Sequence, residues 1–418
     1  MKGILKKINY EKWPVPIRRL VNMWVGFRFF GNPYKKMKIV GVTGTNGKTT
    51  TSTLLYRIAM ALGYKAGLIG TVEHVINGKK IPTEFTTPEA WELNKLLSQM
   101  AQEGCEYVFM EVSSHGMEEK RVAGLKFTGG IFTNLTQDHL DYHKNMEEYF
   151  LAKKKFFKML PAKAFALSNT DDEYGQRMLE GVQAHSFSYG FPENFDGVHF
   201  HGKINKLDFT GLDLSFNNIA IRSKLLGKFN AYNLLAVWSA CSLLDFDMGR
   251  VNKILETLES PRGRFDHFTS ASGVLVVVDY AHTPDALEKI LLAVRDIKPK
   301  EGKLISVFGC GGDRDATKRP KMGNIGASIS DIAIFTSDNP RSEDPNKIIA
   351  DMVATLYPDM YQKVKAIPNR REAISEAVKL AQKGDIILCA GKGHEDYQEV
   401  KGVKSHFNDM EELKKAFQ

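Results

Sequence analysis

A chain of 418 residues with 43% apolar content has sequence enough for two or three domains with ordinary cores, which excludes a disordered chain. Its four cysteines (Cys105, Cys241, Cys310, Cys389) form no C-x-x-C pair, which excludes a thiolate zinc site and a disulfide framework and points to reduced, cytoplasmic thiols. The formal net charge of +8 is carried by the first 38 residues; no apolar run approaches the roughly 20 residues of a membrane span, and no basic patch recurs that would serve nucleic acid.

Residues 1–37 read as a basic amphipathic leader. Lysines and arginines outnumber the single acid, Glu11, and are interleaved with Trp13, Leu20, Trp24, Phe27, Phe29 and Phe30. Such a segment either lies on an anionic membrane surface or packs on the next domain through Ile17, Leu20, Val21, Trp24 and Phe27, which have helix-face spacing. Residues 38–262 follow as a central domain. An apolar strand over 37–42 runs into a glycine-bearing turn, and Gly47-Lys48-Thr49-Thr50 opens a helix. That order builds a phosphate cradle: turn amides and a helix N-terminus face the anion, and a lysine reaches the outer oxygens. The strict G-x4-G-K-[ST] pattern would need glycine where Val42 stands, so the loop with Gly41, Gly44 and Gly47 is a variant. Further strands are predicted at 66–71, 107–112, 130–133 and 164–167, short antiparallel strands across 198–223, and a helix over 230–244. Residues 260–264, SPRGR, read as a hinge.

Residues 263–418 alternate again, with strands at 274–279, 303–308, 331–336, 363–367 and 385–390 and helices at 284–297, 319–328, 345–356 and 370–382. The fold class is therefore α/β: a P-loop central domain with a mostly parallel sheet, plus a Rossmann-like C-terminal domain. The second domain has no G-x-G-x-x-G fingerprint, which argues against a nicotinamide cofactor. In such sheets ligands gather beyond the carboxyl ends of strands. Four polar clusters fall there: Asp279-Tyr280-Ala281-His282, Gly311-Gly312-Asp313-Arg314-Asp315, Asp338-Asn339-Pro340-Arg341 and Gly391-Lys392-Gly393-His394-Glu395.

Glu111 ends a buried strand near the phosphate loop. A carboxylate there is either a Mg2+ ligand, beside the hydroxyl of Thr49 or Thr50, or a hydrogen-bonded edge group. The run NLTQDHLDYH (134–143) concentrates metal-capable side chains and favours a second metal, with His143 left unassigned. Lys153, followed by Lys154 and Lys155, reads from the residues alone as one more solvated charge.

From about residue 38 to the end, the chain resembles the Mur ligase family of ATP-dependent amide-forming enzymes, above all its tripeptide-forming members. The segments are GTNGKTT (44–50), TTP (86–88), EVSSHG (111–116), TNLTQDHLDYH (133–143), YFLAK (149–153), Asn230 with Asn233, DYAHTPDAL (279–287), GCGGDRD (309–315), TSDNPRSEDP (336–345) and AGKGHEDYQ (390–398). The resemblance implies that ATP phosphorylates the D-glutamate carboxylate of a UDP-N-acetylmuramoyl-dipeptide, and that an amino acid's amine attacks the acyl phosphate, a step of peptidoglycan precursor synthesis. It implies ATP binding by Gly44, Thr45, Asn46, Gly47, Lys48, Thr49 and Thr50, with Asn230 and Asn233 reading the adenine. Arg264 and Asp279 would reach the nucleotide from the C-terminal domain, so that domain closure completes the site. The implied catalytic set is Lys48, Glu111, His139 and Lys153, with Thr49 or Thr50 and Glu111 holding one Mg2+ and Glu111, His139 and Lys153 a second. Lys153 would enter the metal site as a CO2-derived carbamate, an anion in place of a cation. Thr86, Thr87, Ser113 and Arg121 would contact the muramoyl-peptide; Arg314, Asp338, Asn339, Arg341, Gly391 and Glu395 would hold the incoming amino acid. In the family an arginine after Asp-Asn-Pro accompanies meso-diaminopimelate. Arg341 would grip its distal carboxylate with two bonds and Glu395 its distal ammonium, whereas lysine would leave Arg341 unpaired.

The family's UDP-binding N-terminal domain, about 90 residues and within the range of a small domain, has no counterpart between the leader and the phosphate loop. The expected donor therefore widens to a lipid-linked or other carboxylate substrate, met at a membrane surface through residues 1–38. Glu119, where the family can carry glutamine, bears on the peptide contact. Two rivals remain: a folate-polyglutamylating ligase, opposed by the DNPR and GKGHE clusters, and a non-catalytic nucleotide-binding module, opposed by the complete phosphate, metal and acceptor sets.

Overall fold

The run KIVGVT is apolar apart from its ends, and every residue after Lys38 is buried, so this strand lies inside a sheet with both faces covered. The computed structural model describes residues 17, 29–30, 32–83, 85–137, 142–192 and 197–418. Most of the basic leader, and the stretch 138–141 with His139, lie outside the described residues. Two compact units divide the chain, one of residues 1–204, 214–222 and 230–258 and the other of 205–213, 223–229 and 259–418.

The strands of the large sheet are β1 (Lys38–Thr43), β2 (Ala66–Ile69), β3 (His74–Ile76), β4 (Lys79–Ile81), β5 (Tyr107–Glu111), β6 (Gly129–Phe132), β7 (Phe165–Asn169), β8 (His185–Gly190), β9 (Phe200–Asp208), β10 (Gly211–Phe216) and β11 (Ile219–Ser223). Their spatial order is β11-β10-β9-β8-β7-β6-β1-β5-β2-β3-β4. From β9 to β2 all neighbouring strands are parallel, while β3 and β4 close one edge antiparallel. Between β10 and β11, Asn217 (φ 43°) and Asn218 (φ 67°) make the two-residue left-handed turn that suits twisted hairpins.

The helices of this unit are α1 (Lys48–Ala61), α2 (Ala90–Gln102), α3 (Ser114–Glu118), α4 (Met146–Lys158), α5 (Gly175–Leu179), α6 (Lys228–Leu243) and α7 (Met248–Leu255). The strand predicted over 66–71 stops at Ile69, because the Thr71 amide leaves the ladder to donate to Glu111 Oε1 at 2.7 Å. Gly41 lets α4 close on β1: a β-carbon there would stand 2.5 Å from the ring of Phe156.

In the second unit β12 (Asp266–Thr269), β13 (Leu275–Asp279), β14 (Leu304–Phe308), β15 (Ile332–Phe335), β16 (Val364–Ala366) and β17 (Ile386–Ala390) form a sheet in the order β12-β13-β17-β14-β15-β16. All neighbours are parallel except the edge strand β12. Helices α8 (Pro284–Ile297), α9 (Lys318–Ile329), α10 (Pro345–Val353) and α11 (Arg370–Leu380) connect them, followed by the hairpin β18 (Tyr397–Val400) and β19 (Val403–His406) and by α12 (Asp409–Ala416). Alternate residues of one strand enter two different cores: Leu275 and Val277 pack with α8-side residues such as Leu287 and Leu291, and Val276 and Val278 with Ile374 and Leu413. Burial on both faces is why these strands read as unbroken apolar runs, and it leaves the polar residues at the strand ends free to make a site.

Candidate active site

Four residues, Gly44 to Gly47, join β1 to α1. Gly44 (φ 152°) and Gly47 (φ 85°) have no room for a side chain, since a β-carbon would overlap Thr133 Oγ1 at the first and Asn233 Oδ1 at the second. Residues 133–136 strap the loop down. Thr45 N donates to Asn134 O (2.8 Å), Asn46 N to Asn134 Oδ1 (2.9 Å), Thr133 Oγ1 to Asn46 O (2.6 Å) and Thr136 N to Thr45 Oγ1 (3.0 Å). Lys48 Nζ donates to the carbonyls of Gly44 (2.8 Å) and Thr45 (2.7 Å), and Lys153 Nζ to that of Gly44 (2.8 Å). Two lysine side chains thus converge on one loop carbonyl at a helix N-terminus, where Lys48 and the loop amides are chemistry for a polyanion.

Lys153 corrects the reading of a solvated charge. It is 1% exposed, on the inner face of α4, with Nζ 4.3 Å from the Tyr149 ring centre. Lys154 is buried as well, donating to the carbonyls of Arg177, Met178 and Glu180 at 2.6–2.7 Å, where it caps the end of α5. Lys155 alone of the three lies at the surface, 2.6 Å from Glu118.

Glu111 is buried at the end of β5. Its Oε2 accepts from Thr49 Oγ1 (3.1 Å) and Thr71 Oγ1 (3.0 Å), and its Oε1 from Thr71 N (2.7 Å). Of the two threonines that follow Lys48, Thr49 is the one bonded to the carboxylate. Among the described residues no three His, Cys, Asp or Glu cluster as a cage for a metal. A hydroxyl beside a carboxylate at the start of the phosphate helix is instead a sparse hard-oxygen set, the kind Mg2+ takes while keeping water and phosphate ligands, so the residues fit that ion. His143 Nε2 lies 3.0 Å from Ser114 Oγ, and burial lowers its pKa, which makes it a hydrogen-bonded interior group.

The segment around Thr86 and Thr87 extends this network. Thr86 Oγ1 lies 3.0 Å from Thr71 Oγ1, Thr87 Oγ1 donates to Glu111 O (2.9 Å) and accepts from Ser113 N (3.0 Å), and Ser113 Oγ caps α3 through Gly116 N. Arg121 Nη1 donates to Thr87 O (2.6 Å). Its guanidinium is paired with Glu119 (2.5 Å) and Glu89 (3.1 Å) and lies on the Phe85 ring. Glu119 is thus an ion partner of Arg121, a contact a glutamine would weaken. Asn230 and Asn233 sit one turn apart on α6 and bond each other (3.0 Å), with Asn233 against Gly47.

In the second unit, Asp279 accepts from the amides of Phe265 (2.8 Å) and Ala281 (2.9 Å), and burial raises its pKa. The Arg264 guanidinium lies 4.9 Å from the Tyr280 ring centre, its Nε buried with no hydrogen-bond partner among the described residues. Gly263 (φ 68°) lies against the Gly393–His394 backbone, so the stretch read as a hinge is seated in this unit.

Past β15, β14 and β17 lie the acceptor candidates. Asn339 is their hub: its Nδ2 donates to Glu395 Oε2 (2.8 Å), and its Oδ1 accepts from Lys392 Nζ (3.2 Å) and Glu399 N (2.9 Å). Lys392, wholly buried, also donates to Glu395 Oε2 at 3.1 Å. A β-carbon on Gly391 (φ 112°) would stand 2.5 Å from Asp338 Oδ2, and burial raises the pKa of that carboxyl. Arg341 (φ 50°) donates from Nη1 to Gly312 O (2.7 Å), and its Nε lies 3.8 Å from Glu399 Oε2. Arg314 is exposed on the loop after β14. The expectation that Arg341 stands unpaired beside an acceptor without a distal carboxylate is therefore corrected, since Glu399 is already at hand. Lys392 and Thr71 were missed as partners. Lys392 was visible as a cation between glycines at a strand end, but nothing local marked Thr71. Beneath the cluster Arg370 pairs with Asp409 (2.6 and 2.8 Å) and donates to the carbonyls of Ser337 (3.3 Å) and Ala390 (3.0 Å), the residues just before Asp338 and Gly391.

A phosphate loop on a parallel sheet, with a hydroxyl–carboxylate pair beside it and a second α/β unit bearing a mixed-charge cluster at its strand ends, defines a nucleotide-dependent enzyme of the P-loop α/β class. The family models agree in detail. Residues 42–241 match the Mur ligase middle domain and 263–393 the Mur ligase glutamate ligase domain, and the chain belongs to the Mur ligase family of ATP-dependent amide ligases, which work with Mg2+. It is 52% identical over 389 residues to UDP-N-acetylmuramoyl-L-alanyl-D-glutamate–2,6-diaminopimelate ligase of Bacteroides thetaiotaomicron, covering 93% of this chain and 80% of that protein. A solved structure of a UDP-N-acetylmuramoyl-L-alanyl-D-glutamate–2,6-diaminopimelate ligase superposes with TM-score 0.70 at 33% identity, covering 96% of this chain and 83% of the other. A Mycobacterium tuberculosis folylpolyglutamate synthase shares the fold, with TM-score 0.71 at 17% identity over 93% of this chain and 94% of that one.

Proposed function

We propose that this ligase joins meso-diaminopimelate to the D-glutamate carboxylate of a UDP-muramoyl-dipeptide through an acyl phosphate. The observation that carries the reading is the acceptor cluster of the second unit, where Asn339 links the Glu395 carboxylate to a loop bearing the Arg341 guanidinium. A side-chain end that is itself zwitterionic, with a carboxylate and an ammonium on one carbon, matches a site of both signs. The relatives that carry diaminopimelate in their names support the same choice.

Lys48 and the loop amides hold the transferring phosphate, where fixed positive charge is worth most as negative charge spreads over its oxygens. Thr49 and Glu111 would hold Mg2+, which when bound would screen the phosphate charge. Thr71 fixes the Glu111 carboxylate with two bonds, so the ligand needs no reorganisation. Lys153, as a carbamate, would hold a second Mg2+ with Glu111 and His139; a lysine ammonium has no lone pair to offer a metal, whereas a carbamate supplies anionic oxygens. Asn230 and Asn233 are assigned to the adenine, and Arg264 and Asp279 are the second unit's candidates for nucleotide contact. Thr86, Thr87, Ser113 and Arg121 face the peptide, and Asp338, Gly391 and Arg314 complete the acceptor site.

The test is phosphate release with UDP-muramoyl-dipeptide against a panel of amino acids. Diaminopimelate is expected to give the highest kcat/KM, and Arg341→Ala to erase about ten- to hundredfold of its advantage over lysine, the worth of a charged hydrogen bond. Equal turnover of the two by the unaltered enzyme would remove the acceptor assignment. A folate-type acceptor chemistry would appear as turnover with glutamate instead.

A further inference from the structure

We propose that Glu399 is a specificity-determining residue whose carboxylate is the resident partner of Arg341, so that an acceptor's distal carboxylate must displace it. The inference rests on the reading of Arg341 as the acceptor's carboxylate anchor. It begins from the backbone. Arg341 N donates to Glu399 O (3.0 Å) and Lys401 N to Arg341 O (2.6 Å), an isolated parallel bridge that lays Arg341 along β18. Glu399 N in turn donates to Asn339 Oδ1 (2.9 Å). Two bonds from its own backbone, and a third from Lys401, therefore tie the Glu399 segment to the Asn-Pro-Arg turn, with its carboxylate 3.8 Å from the guanidinium. Arg341 adopts a left-handed backbone (φ 50°), uncommon for a residue other than glycine, which aims the arginine toward this strand.

The consequence is a contest over one cation. Nη1 donates to Gly312 O and Glu399 sits beside Nε, so a ligand carboxylate that takes the Nε–Nη2 edge of the fork meets Glu399 there. A dicarboxylate acceptor meets a like charge there and gains only the difference between its own pairing and that of Glu399. A lysine-type acceptor brings no carboxylate, and Glu399 keeps Arg341 neutralised for it. Glu399 thus narrows the preference that Arg341 creates. The hairpin carrying it lies beyond residue 393, where the match to the family's glutamate ligase domain ends.

Glu399→Gln keeps the shape and both backbone bonds and removes the charge. In the full chain with ATP, Mg2+ and UDP-muramoyl-dipeptide, the KM for diaminopimelate is expected to fall about two- to fivefold, the range of a part-exposed ion pair, with lysine unchanged or weaker. Added to Arg341→Ala, the same change should leave the preference where Arg341→Ala alone puts it. Calorimetric binding of each free amino acid to the ADP-loaded chain reads the same shift without turnover. An unchanged ratio, or an equal loss with both acceptors, would overturn the inference. If the unaltered enzyme instead uses lysine alone, the functional reading fails; Glu399 then stands only if Glu399→Gln admits diaminopimelate, and continued refusal overturns it too.

Discussion

Three adjacent lysines on α4 show how far a residue's surroundings decide its chemistry. Lys155 faces solvent, Lys154 caps α5, and Lys153 is buried over Tyr149 and bonded to the phosphate loop. A chain with three charges in a row gives no local sign of which is inside. Helical spacing turns neighbours by about 100°, and only the surrounding apolar pattern and the position of the loop decide. If Lys153 carries a carbamate, the enzyme in 13C-bicarbonate should show a carbamate carbon resonance that Lys153→Met abolishes along with most turnover; full activity in that variant would remove the second metal ligand. Thr49→Val, which deletes the hydroxyl beside Glu111, is expected to lower kcat/KM about ten- to hundredfold, with Mg2+ titration shifted to higher concentration. A change confined to peptide KM would place Thr49 elsewhere.

At the scale of elements, the alternation of the second unit was legible because its strands are buried on both faces and its helices carry an apolar stripe. The helix over 284–297 has those very bounds, with Thr283 capping it and Pro284 opening it. The variant phosphate loop was legible too, since strand, glycines and helix follow in order. Thr71 and Glu399 were not, because each is defined by a partner 40 or more residues away, and sequence spacing carries no such information. Gly47→Ala should test the loop: its left-handed backbone and the Asn233 side chain leave no room, so the melting temperature is expected to drop by a few degrees and ATP affinity, measured below that melting point, to fall at least tenfold. Retained affinity would mean the nucleotide lies elsewhere.

Strand β3, next to the edge strand β4, carries a different consequence. His74 is buried, accepts from Gly70 N (3.4 Å), and desolvation pushes its pKa down to about 4. The unfolded chain takes up a proton near pH 6.5 that the folded chain refuses until about 4, so stability contributed by neutral His74 is present above about 6.5 and lost as pH falls toward 4. His394, also lowered to about 4 by burial, acts in the same direction in the second unit. Denaturant midpoints should therefore drop across that window, and His74→Gln should flatten the slope. A midpoint independent of pH between 6.5 and 4 would contradict the assignment.

For the molecule as a whole, no helix among the described residues is long and apolar enough to cross a membrane. The proposal that residues 1–38 contact an anionic membrane surface is open to vesicle sedimentation: binding to anionic vesicles should require that segment and fall with salt, and equal recovery without it would end the proposal. The central claim concerns chemistry, that a peptide carboxylate is activated by ATP as an acyl phosphate before an amine attacks. Labelling the donor's D-glutamate carboxylate with 18O and analysing the released phosphate by mass spectrometry tests it most directly. One 18O atom should appear in each phosphate, in step with formation of the amide; phosphate released with none, while the amide still forms, would contradict the account.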